Sequence, residues 1–211
     1  MKTVMFLLVT LSCSQAVATI DVLPKLIEVQ GITRTAVTVI NRSDHPEFVS
    51  VALSRLLNPG VPWGEERLEP VGQARTPQLY AYPFRLSLAK GQSKTITLQP
   101  LSAVQQETVW RLNITSVAAL SGSTQETLGG GVAVNLSFST LVRQLPEKQT
   151  RAIEHLCGAN RITLTATGTT RFPVKGMTVD GVPLETFNVY PGTPVAIAGH
   201  HAVVDGKVVC H

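Results

Sequence analysis

Val132, Val134, Leu136 and Phe138 fall on one side of a strict two-residue period. Ala133, Asn135 and Ser137 take the other side, and the run follows three glycines, Gly129, Gly130 and Gly131. Successive side chains of a strand point to opposite faces, so this apolar row has two uses. It can fill the interior of its own sandwich, or it can occupy successive pockets of another polypeptide whose open sheet edge pairs with the main chain. A second pair with chemistry is Cys157 and Cys210, an even pair once Cys13 leaves with a secretion signal, and in an exported chain such a pair reads as one disulfide. His200, His201 and His211 lie near Cys210 but match no standard zinc spacing. The chain contains no GxSxG elbow, Walker loop or HExxH pair, and its glycine run lacks the strand-to-helix setting of a nucleotide fingerprint. No catalytic residue, metal or cofactor is assigned, and the chain reads as a binding protein rather than an enzyme.

The elements that must position these residues are β-strands. Short alternating or apolar runs bounded by Gly, Pro, Asn, Asp and Ser recur about every ten residues, the pattern of an all-β sandwich. The expected strands are 20–29, 35–40, 48–57, 79–88, 94–98, 108–117 and 132–142, followed by 161–167, 172–179, 187–189, 194–198 and 202–209. Pro24 cannot donate to a ladder, which puts the first strand at an edge or makes it switch sheets there. Residues 58–78 read as a long irregular connection, and Asp180-Gly181 and Asp205-Gly206 as hairpin turns. Pro146, with Glu147 and Lys148 behind it, marks a hinge between an N-terminal unit over 19–145 and a C-terminal unit over 146–211. The second unit is small for an independent core, which gives a disulfide a physical purpose.

Residues 1–18 read as a signal peptide: Lys2, the apolar run 4–11, and a cleavage site at Ala16-Val17-Ala18. The context of Cys13 suits lipid attachment poorly. No later stretch approaches the ~20 apolar residues of a membrane helix, so the product is expected to be exported without inserting in the membrane. The formal charge of +4 is spread without a Lys/Arg stripe, which excludes a nucleic-acid partner. A 44% hydrophobic content beside only 15% charged residues implies that apolar surface is left exposed.

The order and spacing of these features resemble the periplasmic pilus and fimbrial assembly chaperones. The residues that carry the likeness are 35–41 as strand and turn, 83–98 with its Lys90-Gly91-Gln92-Ser93-Lys94 turn, 109–114, and 132–146 ending in Leu141-Val142-Arg143-Gln144-Leu145-Pro146. That ending, with Leu56-Leu57-Asn58-Pro59-Gly60, is most similar to the alternate branch that serves colonisation-factor (CFA/I-type) fimbriae. The resemblance implies two immunoglobulin-like β-sandwiches around an interdomain cleft, a periplasmic location, and donor-strand complementation. In that process Val132, Val134, Leu136 and Phe138 fill the groove of a strand-deficient pilin subunit, which then passes to an outer-membrane usher. It also implies two basic anchors for the subunit's terminal carboxylate. The family's strand lysine falls on Ser139 here, leaving Lys25 and Arg143 as candidates. A long apolar edge invites aggregation, so the free protein is expected to self-associate or to shield the row with a flexible lead-in at Gly129, Gly130 and Gly131. The competing reading is a structural or adhesive immunoglobulin-like subunit, which would carry an incomplete sandwich or a free donor extension.

Overall fold

A computed structural model describes residues 20–117 and 137–211. Pro24 divides the first apolar run into β1 (Ile20–Leu23) and β2 (Ile27–Gln30), which enter different sheets, each at an edge. The missing N–H thus falls where the chain leaves one ladder for another. β3 (Thr35–Asn41), β4 (Glu47–Leu56), β5 (Leu68–Pro70), β6 (Leu79–Tyr82), β7 (Arg85–Leu88), β8 (Ser93–Pro100), β9 (Thr108–Ser116) and β10 (Ser137–Leu145) complete the first sandwich. One sheet runs β1-β3-β8-β6; the other runs β2-β10-β9-β4-β5, with β7 also paired to β4. The expected strand over 79–88 is two strands in two sheets, because Pro83 interrupts the ladder just as Pro24 does. Alternation delivers the interior: Val37 and Val39, Val49, Val51 and Leu53, Ile96 and Leu98, and Leu112 and Ile114 meet in one core.

The second sandwich comprises β11 (Ile153–Cys157), β12 (Arg161–Ala166), β13 (Phe172–Val174), β14 (Met177–Val179), β15 (Val182–Pro183), β16 (Phe187–Val189), β17 (Val195–Ala198), β18 (Ala202–Val204) and β19 (Lys207–Cys210). Its sheets run β11-β12-β17, β13-β16 and β15-β14-β18-β19 around a separate core that includes Ile162, Leu164, Met177 and Val189. Both Asp-Gly pairs form hairpin turns, with φ of 49° and 81° at Asp180 and Gly181 and 47° and 76° at Asp205 and Gly206. Two consecutive positive φ values match the right-handed twist of the flanking strands. Cys157 and Cys210 are joined, and the bridge links β11 to β19, the edge strands of two different sheets. The all-β, two-sandwich expectation therefore holds.

Asp180 does more than turn the chain. Its carboxylate accepts the backbone N–H groups of His201 (2.8 Å) and His200 (3.1 Å), which hold its pKa below the ordinary aspartate range. A carboxyl depressed by folding stabilises the folded state above its unfolded pKa, and that contribution is lost as pH falls through the folded value. As pH drops below about 4, amide hydrogen exchange at His200 and His201 should accelerate relative to the β14 and β18 amides. Equal acceleration throughout would mean that Asp180 plays no local part.

Candidate functional site: an open strand edge beside an ion pair at the domain junction

β10 is the strand on which the expected site residues converge. It pairs antiparallel with β9 from Ser137 to Gln144, but parallel with β2 only from Val142 to Leu145. Along 137–141 the side away from β9 carries no strand pairing among the described residues; the Thr140 hydroxyl donates to the Lys25 carbonyl there at 3.1 Å. Backbone donors and acceptors on such an edge accept a further strand readily.

Of the four row residues, Val132, Val134 and Leu136 lie outside the described residues. Phe138 is half-buried, packs against the N-terminal core and receives the Lys25 ammonium 4.8 Å above its ring, a cation–π geometry. Lys25 is otherwise 60% exposed along its side chain and pairs with Asp21 at 2.5 Å, and Arg42 reaches the same carboxylate at 3.3 Å. The Lys25 ammonium, opposed by partial burial and assisted by Arg42, holds the Asp21 carboxyl below its usual range. Ser139, where the resemblance places a lysine, is exposed.

Arg143 is placed quite differently from Lys25. It is buried, and its Nε and Nη2 donate to the two carboxylate oxygens of Glu107 at 2.7 and 3.1 Å, while Nη1 pairs with Glu28. Burial works to discharge it, and the Glu107 and Glu28 carboxylates outweigh that, so its pKa stands above the arginine norm. Glu107 in turn accepts the backbone N–H of Arg171 in the second sandwich at 2.8 Å, and its own N–H donates to the Thr169 carbonyl at 2.8 Å. The guanidinium that the resemblance offered as a carboxylate anchor is thus already engaged by two carboxylates of its own chain, at the junction of the sandwiches. A small apolar cluster lies beside it, in which Tyr190 of the second sandwich packs with Leu56, Val109 and Leu141 of the first. Leu141 stands opposite Arg111 and Arg143 opposite Val109, so the outward face of β9 and β10 is the wall against which the second sandwich is set.

Glu107 and Glu28 had no mark in the sequence as partners of Arg143. They lie 36 and 115 residues from it, and a single carboxylate at a strand head leaves no periodic trace. The same holds for the Glu66 carboxylate on Arg111, a two-pronged pair joining the 58–78 connection to β9. Among the described residues no three His, Cys, Asp or Glu side chains gather as a metal site, and no helix is long and apolar enough to cross a membrane.

No protein-family model and no curated protein matches the chain. Its architecture is that of solved fimbrial chaperones. A chain of the CFA/I chaperone–tip adhesin complex superposes with a TM-score of 0.69 at 20% identity, covering 89% of this chain and 94% of that one. The class 5 fimbriae chaperone CfaA gives a TM-score of 0.69 at 20% identity, with 91% and 92% covered. A chain of the CsuC–CsuE chaperone–tip subunit pre-assembly complex of Acinetobacter baumannii gives 0.58 at 11% identity, with 92% and 96% covered. At these identities the likeness is one of fold.

Proposed function

We propose that this chain is a periplasmic chaperone that binds fimbrial subunits by lending them a strand and passes them to an outer-membrane usher. The observation that carries the reading is the edge of β10 left unpaired over 137–141, directly following the apolar row Val132, Val134 and Leu136. An exposed edge that continues from alternate apolar residues has what strand addition needs: a main-chain ladder for affinity and side chains for successive pockets. The fold shared with solved chaperone complexes supports the same role. Phe138, held against its own core, marks the near end of the lent row.

In this reading the two basic candidates divide their work. Lys25, exposed and close to Phe138, takes the subunit's terminal carboxylate, a charged donor giving a shorter and stronger hydrogen bond than a neutral one. Arg143 positions the wall behind it. No cofactor or nucleotide is required, because one donor strand is exchanged for another; until exchange, the unpaired edge of the free protein is shielded by self-association or by the segment preceding it.

The test is co-expression with the subunit encoded beside this gene. Leu136→Asp places a charge in an apolar pocket and should cut subunit recovery from the periplasm at least tenfold, leaving the melting temperature of the purified chain unchanged. Undiminished recovery would remove the lent-strand assignment.

A further inference from the structure

We infer that Asp21 is a resident stand-in for the subunit's terminal carboxylate, closing the anchor in the free chain, and that Arg42 supplies the anchor's second cation. This rests on the chaperone reading and says how its anchor is built and released. The Asp21 carboxylate is held through both oxygens: Lys25 Nζ donates to Oδ1 at 2.5 Å and Arg42 Nη2 to Oδ2 at 3.3 Å. Lys25 lies between β1 and β2 and Arg42 directly after β3, and the antiparallel pairing of Ile20 with Asn41 brings the two regions together. The two cations are thus already set to the width of one carboxylate, and that is the chemistry that names the ligand. Among the described residues neither pairs with another carboxylate. The site adjoins the open edge. The Lys25 carbonyl accepts the Thr140 hydroxyl and its ammonium stands over the Phe138 ring, both on the stretch 137–141 left unpaired on the side away from β9. A strand laid along that edge and ending beside Lys25 presents a carboxylate to it.

Exposure decides which cations can change partners. The side chains of Arg143 and Glu107 are 9% and 0% exposed, and opening that pair would strand a buried charge. Lys25 and Arg42 are 60% and 53% exposed. An ion pair in such a setting is worth no more than roughly a fivefold change in an equilibrium constant. Asp21 can therefore let go of both cations and turn to water. β10 itself offers only Ser139, exposed, where the resemblance places a lysine, so the second cation comes from the end of β3. In the free chain Asp21 occupies the space between the two cations. The subunit's carboxylate takes that place on binding, and Asp21 returns to it as the subunit leaves, so neither cation is stranded at the moment of release. Asp21 in this way weakens the grip of the anchor and eases transfer of the subunit.

The experiment refolds the urea-unfolded subunit encoded beside this gene in the presence of the purified chain and reads the captured complex by size exclusion. Asp21→Asn removes the charge but keeps an acceptor for the Val22 N–H, which the carboxylate takes at 2.9 Å. It should leave the melting temperature of the free chain within about 2 °C of the parent and tighten capture roughly two- to fivefold, the worth of an exposed pair. Arg42→Ala should weaken capture about fivefold, and Arg42→Lys should recover most of that loss. With a subunit carrying a C-terminal amide in place of the acid, the parent and Asp21→Asn should capture equally. Weaker or unchanged capture by Asp21→Asn, unchanged capture by Arg42→Ala, or a gain in Asp21→Asn that persists with the amidated subunit would each overturn the inference. The lent strand, tested separately by Leu136→Asp, would still stand. Absence of any captured complex with the parent chain would sink the chaperone reading and this exchange with it.

Discussion

Glu107→Ala is expected to cost about 3–5 kcal/mol of stability, the penalty for stranding a buried charge by removing its partner. Arg143 would lose the carboxylate that accepts its Nε and Nη2, keeping only Glu28, whose side chain is 44% exposed. The second sandwich would lose the acceptor of its Arg171 N–H. The variant should therefore show two separable changes: a lower urea midpoint, and a broader distribution of interdomain distances in small-angle scattering. Glu107→Gln keeps an acceptor but removes the charge, and should fall between the two. A double change of Glu107 and Arg143 to apolar residues of similar size should regain much of the stability, because no charge then remains buried. If Glu107→Ala melted with the wild type and scattered identically, the ion pair would be an ornament of the junction rather than its lock.

Cys157→Ser with Cys210→Ser should have an effect of comparable size. The bridge spans 53 residues of sequence, and releasing a loop of that length from its constraint costs about 4 kcal/mol on the chain-entropy account. The loss should be confined to the C-terminal sandwich, whose core is the smaller of the two and whose edge strands β11 and β19 would no longer be stapled. Amide exchange resolved by segment would show β11, β12 and β19 losing protection while β4 and β9 keep theirs. Uniform loss of protection would mean that the sandwiches unfold as one unit.

Much of the fold was legible in the chain because sandwiches are written in period-two alternation and in turn chemistry. Val37 and Val39, Val49 and Val51, and Ile162 and Leu164 are inward where alternation puts them. Pro24 fell at a sheet change, and each Asp-Gly pair became a tight turn. The expected single strand over 79–88 runs across a slip in the alternation at Pro83, since the buried positions are Leu79 and Ala81 before it and Leu86 and Leu88 after it, odd and then even. The site was less legible because its defining contacts join residues far apart in sequence. Arg143 looked like a free cation in a strand, and only the fold brings Glu107 and Glu28 to it. Arg111 likewise meets Glu66 from a stretch that reads as irregular connection, a pairing 45 residues apart that no local pattern encodes.

The parallel pairing of β2 with β10 has a kinetic consequence. It joins Ile27 to Val142 and Gln30 to Leu145, so the N-terminal ladder is completed only after a loop of more than a hundred residues has closed. Pairings of such separation form late, since the entropy of closure is lost before the contact rewards it. During maturation β2 and β10 thus meet at the end of the process, and β10 is also the strand whose first half, 137–141, still has room for a neighbour.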